Sequence, residues 1–332
     1  MSAGSTSMHA GNAERVELEP PDITAYRAGN TGIPYVTSFG SGRPGPHAAI
    51  VALTHGNEIS GALALDHLLR NDLRPVIGTL SLVFANVDAY AEFDPHNPNA
   101  SRYINHDMNR LWAENADDAV DRKSIEGRRV QALRPFLETV DLLLDLHSMQ
   151  SESPALLLAG PSDKGRDFSR SLSSPAVIVC DSGHANGTRL RDFHAFNTPE
   201  KPQKSVLAEC GQHWKPGTAT MAIDTAYRFL LTLGMTTASE AANNLLPDNM
   251  PAHWVEVTGS FVPHHDGAQF VEPFVGMEVI AGRDTVIAHD GVDPIRTPYD
   301  DCVLIMPSRR LVAGQTAVRF GRRHLFEEHA DV

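Results

Sequence analysis

A histidine and a glutamate three residues apart are the first chemistry met in this chain. His55-Gly56-Asn57-Glu58 follows an apolar run, Ala48 to Leu53, and opens a helical pattern from Glu58 to Arg70. That spacing puts both side chains on one face of a first helical turn. The end of a buried strand is where open α/β sheets place their sites. A histidine and a carboxylate could supply two of the three protein ligands of a catalytic zinc. The pair also reads as a surface histidine followed by a glutamate favoured by the helix dipole. A second apolar run, Asp141 to Leu146, delivers His147 to another strand end. His147 could complete a His-Glu-His set with an open coordination position, and Asp145 could orient it. Alone, His147 reads as a capping or buried histidine.

Two further stretches add reactive groups. Ser101-Arg102-Tyr103-Ile104-Asn105-His106-Asp107-Met108-Asn109-Arg110 is a polar loop with two arginines and a late asparagine. Arginine grips a carboxylate through a bidentate fork and stabilises a developing oxyanion as a fixed cation. Surface salt bridging is the alternative for either arginine. Leu207-Ala208-Glu209-Cys210-Gly211 sets a carboxylate at the end of an apolar run. A glutamate beside zinc could deprotonate a water and return the proton to a leaving amine. Without zinc it reads as an exposed strand-end glutamate.

The elements that must position these groups follow from periodicity. Ala48 to Leu53 and Thr79 to Asn86 read as strands, and Glu58 to Arg70 as a helix with Ile59, Ala62, Leu63, Leu65, Leu68 and Leu69 on one broad face. The polar stretch Asp88 to Asn115 is long enough to be a functional loop. Arg122 to Val140 reads as a helix that Pro135 kinks or breaks. Strands follow at Asp141 to Leu146, Ala155 to Ala159, Ala176 to Cys180 and Ser205 to Glu209, and then a helix at Ala219 to Leu233. This alternation predicts an α/β sheet covered on both faces. After Gly234 comes a polar connector, Thr236 to Pro251. Short β-like runs then occur near Trp254 to Thr258, Gln269 to Val271, Met277 to Ala281, Thr285 to Ala288, Cys302 to Met306 and Ala317 to Phe320. They predict a small all-β domain.

Composition narrows the options. The 332 residues fit about two domains. With 42% hydrophobic and 21% charged residues, the chain can bury a large core and is not disordered. A formal charge of −13 without a basic stripe argues against nucleic acid. No uninterrupted apolar window of about 18 residues exists, so no transmembrane helix or membrane association is expected. Cys180, Cys210 and Cys302 form no CxxC pair, which excludes a cysteine zinc site and fits a reducing compartment. Residues 1–20 lack the basic and apolar regions of a signal peptide and read as a mobile tail of a cytoplasmic protein. No GxSxG, P-loop or GxGxxG motif supports a serine hydrolase, an NTPase or a dinucleotide enzyme. His264-His265-Asp266 reads mainly as a solvated turn, His213-Trp214 as a candidate pocket lining, and Cys210 as a small buried hydrophobe.

Taken in order, His-Gly-Asn-Glu, Arg102 with Asp-Met-Asn-Arg, Asp-Leu-His and Glu-Cys-Gly resemble the aspartoacylase and succinylglutamate desuccinylase family, a branch of the zinc carboxypeptidase-like hydrolases. The resemblance spans Ala48 to Leu233, and Ile305 to Phe320 is similar to the end of the family's β-domain. It implies a three-layer α/β/α domain with a mixed sheet at 21–238, followed by a β domain at 250–332. It also implies one zinc per chain on His55, Glu58 and His147. Arg102 then matches the arginine that polarises the scissile carbonyl. Asn109 and Arg110 match the carboxylate grip, and Glu209 matches the general acid/base. The implied reaction is amide hydrolysis of a small N-acyl amino acid. A carboxypeptidase-like action on short peptides and a catalytically silent zinc protein are the alternatives. Some members hold a second substrate carboxylate with a basic residue upstream of the glutamate. No single residue aligns with it in Asn197 to Lys204, which Arg189 and Arg191 precede. The acyl group and side chain stay open, as does a homodimeric state.

Overall fold

The computed structural model describes residues 15–113, 123–183 and 186–326. Eleven strands form one mixed sheet: β1 (Val36–Gly40), β2 (His47–Ala52), β3 (Thr79–Phe84), β4 (Leu142–Met149), β5 (Leu156–Leu158), β6 (Val177–Cys180), β7 (Lys204–Gln212), β8 (His253–Phe261), β10 (Val279–Ile280), β13 (Cys302–Ile305) and β14 (Val318–Leu325). Their order is β1-β3-β2-β4-β7-β5-β6-β8-β14-β13-β10. The strands β9 (Gln269–Phe270), β11 (Val286–Asp290) and β12 (Asp293–Arg296) form a separate antiparallel sheet.

The centre is parallel: β3, β2, β4 and β7 run together. A strand covered on both faces must be apolar at every position, which is why His47–Ala52 reads HAAIVA without alternation. Ala48, Ile50 and Ala52 enter one core with helices α1 (Ile59–Arg70), α4 (Asp163–Ser171) and α5 (Pro216–Thr232). Ala49 and Val51 face a second core with α3 (Ile125–Leu137), and α2 is the short helix Val87–Ala91. The expected α/β sheet with helices on both faces is thus present. Ser124 caps α3 by accepting the Gly127 N–H at 2.9 Å, an interaction worth about 1 kcal/mol. Pro135 falls in the last turn of α3 and does not split it.

Five strands and α-helices escape the sequence reading: β1, β12, α2, α4 and α6 (Ala238–Ala241). Helix α4 is polar (DKGRDFSRS) and buries only Gly165, Phe168 and Ser169, so no apolar period marks it. The β4 and β7 runs extend beyond their expected ends, so His147 and Glu209 lie inside strands and pair in register as neighbours. Arg122, with residues 114–115 of the expected loop and 1–14 of the expected tail, lies outside the described residues. Glu17, within that tail, donates its N–H to the Trp214 carbonyl at 3.0 Å.

The C-terminal strands join the main sheet where β8 pairs parallel to β6. A core of Met149, Leu156, Leu158, Val179, Leu207, Val255, Val303 and Ile305 seams the two regions together. Phe261, Ile287, Leu304, Val318 and Phe320 form a further core of the β segment itself.

Candidate active site

The site begins where β2 ends. Leu53 turns the chain with φ +60°, a left-handed conformation that costs a bulky residue about 1–3 kcal/mol. Thr54 then donates to Asp145 Oδ1 at 2.9 Å, tying this turn to β4. Gly56 is required by packing: a Cβ there would lie 2.5 Å from the Ser101 carbonyl oxygen and 2.6 Å from the Tyr90 nitrogen. Its N–H donates to the Arg102 carbonyl at 3.1 Å. The glycine of the His-Gly-Asn-Glu stretch therefore lets the arginine loop approach. Trp214 Nε1 donates to the Asn57 carbonyl at 2.9 Å and holds the turn from the other side.

His55, Glu58 and His147 converge, all buried, with ligand-type atoms within 4.8 Å of one another. Each histidine turns Nδ1 to a different oxygen of one carboxylate: His55 to Glu58 Oε1 at 2.7 Å and His147 to Glu58 Oε2 at 2.9 Å. Each far nitrogen meets another carboxylate. His55 Nε2 lies 2.9 Å from Asp107 Oδ1, and His147 Nε2 lies 2.8 Å from Asp145 Oδ2. A ring that gives its Nε2 proton to a carboxylate presents the Nδ1 lone pair inward, the outer support that metal-binding histidines use. The backbone N–H of Ser148 also donates to Glu58 Oε2, at 3.0 Å.

Acidic groups crowd this point: Glu58, Asp107, Asp145 and Glu209, with Arg102 beside them. The donor set of two imidazoles and a carboxylate suits zinc. Burial pushes the Glu58 carboxyl up, but His55 and His147 more than offset it and hold it well below the usual range. Burial lowers the His147 pKa, and Asp145 and Glu58 raise it further than that, to well above the usual histidine value.

The loop carrying Arg102, Asp107, Asn109 and Arg110 is clamped from below by Glu126. This fully buried carboxylate accepts the N–H groups of Ile104 at 2.7 Å and of Asn105 and His106 at 3.2 Å each. Asn105 Oδ1 returns the contact by accepting the Ile125 N–H at 2.9 Å. Arg102 Nη1 donates to Glu58 Oε1 at 3.0 Å, which places a guanidinium beside the donor cluster. Asn109 Oδ1 accepts the Leu190 N–H at 2.8 Å, and Arg110 Nη1 donates to the Asn109 carbonyl at 2.8 Å. Gly187, at φ +136°, backs this pair. A Cβ there would stand 2.4 Å from the Arg110 carbonyl oxygen.

Glu209 faces the same cavity from β7. Burial pushes its carboxyl up to about 8, and its Oε2 has no hydrogen-bond partner among the described residues. Its neighbour Cys210 points to the opposite face of the strand, into the core beside α5, where burial raises the thiol well above its ordinary pKa. His213 lines the cavity and bonds Ser148 Oγ at 2.7 Å, and burial lowers its pKa to about 4. Trp214 instead turns into the protein. His265 lies far more exposed, 3.2 Å from Asp290.

All seven residues expected at the site thus line one cavity of about 650 Å³. Asp107, Glu126, Ser148 and Arg319 were not singled out from the sequence. Asp107 sits two residues before Asn109 in the quoted loop, so its neighbourhood was legible but its partner, His55, was not. Arg319 comes from β14, and only its place in the Ile305 to Phe320 stretch hinted at a role. The cavity's outer wall is made by Val275, Met306, Pro307, Ser308, Gln315, Thr316 and Arg319.

Comparison with known proteins agrees with this architecture. Residues 44–224 match the family model described as the succinylglutamate desuccinylase/aspartoacylase catalytic domain. No curated protein matches in sequence. Among solved structures, a succinylglutamate desuccinylase from Chromobacterium violaceum is 17% identical, with 88% of this chain and 90% of that chain covered and a TM-score of 0.61. One from Vibrio cholerae is 14% identical, with 87% and 86% covered and a TM-score of 0.61. The ectoine utilization protein EutE (DoeB) from Ruegeria pomeroyi is 15% identical, with 86% and 88% covered and a TM-score of 0.61. At such identities the structures speak for the fold, whereas the family model matches more than half of the chain. The chain belongs to the succinylglutamate desuccinylase/aspartoacylase family.

Proposed function

We propose that this protein is a zinc-dependent hydrolase that cleaves the amide bond of a small N-acyl amino acid. Family membership supports a deacylase-type hydrolase. The observation that carries the finer reading is the buried His55-Glu58-His147 donor set opening onto the same cavity as Glu209 and Arg102. Zinc held there supplies a Lewis acid that polarises a carbonyl and acidifies a water.

The chain's own residues do the rest. Asn109 and Arg110 grip the free carboxylate of the amino acid and so fix the scissile bond over the donor cluster. Arg102 faces the carbonyl oxygen as it gains negative charge. Glu209 takes a proton from the attacking water on its unpartnered Oε2 and hands it to the departing amine. Asp107 and Asp145 hold the two imidazoles in register.

We further read residues 21–238 as the hydrolase unit and 250–332 as a β unit that walls its cavity. We also propose a cytoplasmic setting. The three free, buried cysteines suit a reducing compartment, and no helix among the described residues is long and apolar enough to cross a membrane.

Glu209→Gln tests the assignment. Zinc content should stay at one per chain while turnover falls by about 10²–10⁴. Near-normal turnover would remove Glu209 from the reaction.

A further inference from the structure

One buried imidazole in the cavity has no part in the donor set, the carboxylate grip or the proton transfer. It is His213, just beyond the end of β7. The donor atoms that converge within 4.8 Å belong to His55, Glu58 and His147, and His213 is not one of that group. The charged and titratable groups that face it are Glu58, Arg102, His55 and His147. Its ring therefore looks onto the place where the donor cluster meets the Arg102 guanidinium.

The backbone around His213 is tied down. Its N–H donates to the Met149 carbonyl at 2.7 Å, and Thr218 Oγ1 donates to the Gln212 carbonyl at 2.6 Å. Trp214 follows at φ +62°, a left-handed conformation held by its indole bond to Asn57. The ring is oriented as well. Nδ1 lies 2.7 Å from Ser148 Oγ, and the Ser148 N–H is committed to Glu58 Oε2.

These contacts assign the ring proton. Ser148 is buried, and its hydroxyl has no other partner among the described residues. A proton on Nδ1 would make the hydroxyl an acceptor and leave its own proton without one, which is costly for a buried group. A hydroxyl that donates to Nδ1 satisfies both groups and puts the ring proton on Nε2. No described residue meets Nε2, and it is not among the unpartnered polar atoms sealed from solvent, so this N–H opens onto the cavity. Burial, which lowers the His213 pKa to about 4, keeps the ring neutral. A pre-aimed N–H with no partner is the form that an oxyanion donor takes.

We propose that His213 is a catalytic residue that donates its Nε2–H to the scissile carbonyl oxygen as that oxygen gains negative charge, a second donor beside Arg102. This rests on the reading of the cavity as an amide-hydrolase site. Ser148 is then a positioning residue that fixes the tautomer of the ring.

The test uses the zinc-loaded wild type, His213→Gln and His213→Phe. Gln offers an amide N–H near the position of Nε2, whereas Phe fills the space of the ring without a donor. Kinetics are measured on whichever N-acetyl or N-succinyl amino acid the wild type turns over fastest. His213→Phe should lower kcat by about ten- to a hundred-fold, the loss of one hydrogen bond to a charged oxygen, with little change in KM. His213→Gln should restore a large part of it. Binding separates this from a packing role. Affinity for the methylphosphonamidate of alanine, whose tetrahedral phosphorus carries anionic oxygen in place of the carbonyl, should fall in His213→Phe by a similar factor. Affinity for alanine and a zinc content of one per chain should stay at wild-type values. A kcat in His213→Phe within about twofold of wild type overturns the proposal. So does an equal fall in affinity for the phosphonamidate and for alanine, or a loss of zinc. If the wild type turns over no N-acyl amino acid, the hydrolase reading fails on its own. A phosphonamidate that then binds wild type no better than His213→Phe also overturns the role of His213.

Discussion

The inner wall of the cavity comes from neighbouring strands of the parallel sheet and the Arg102–Arg110 loop, whereas the outer wall comes from segments between Val275 and Arg319 that the β8–β14 pairing and a shared apolar core bring to the site. On the inner wall nearly every charged group is paired to another, as with His55 to Asp107 or His147 to Asp145. On the outer wall Arg319 makes no hydrogen bond or ion pair with any described residue, and the charges facing it are Asp181, Arg189 and Glu209. A fully paired wall is pre-organised and holds one geometry.

Three changes would break or sharpen this contrast. The largest effect is expected from Arg102→Gln, which removes the cation beside the donor cluster and should lower kcat by about 10²–10³. Steady-state kinetics checks it, and a change confined to KM would assign Arg102 to binding instead. Next comes Asp107→Asn, which weakens the support behind His55. Zinc affinity measured by competition with a chelator should fall by about 10–100-fold. Unchanged affinity would show that the inner wall does not need that pair. The smallest is Arg110→Lys, which keeps the charge and loses the bidentate fork. KM should rise about tenfold with kcat nearly kept, and an unaltered KM would move the carboxylate grip elsewhere.

The strand-end residues of the inner wall were legible in the sequence for a physical reason. His55 and His147 each follow an apolar run that reads as a buried strand, so position and side-chain type are read together, as at Asp145-Leu146-His147. Glu209 was legible in the same way. Glu126 was not, because its role depends on α3 meeting three loop N–H groups, a contact with no periodic signature. Helix α4 escaped because its buried face is little more than Phe168. Arg319 escaped because only the sheet pairing of distant strands brings β14 to the cavity. Arg189 shows the reverse. Sequence flags it as a basic residue upstream of Glu209, and the fold spends it on Asp181 and Asp192.

The most direct test of the account measures amine release from a panel of N-acyl amino acids, using protein stripped with chelator, restored with zinc, and quantified for bound metal. The account predicts one zinc per chain, turnover that vanishes on stripping and returns with zinc, and loss of the bound metal in His147→Ala. Turnover that survives complete stripping, or zinc that stays bound in His147→Ala, would contradict it.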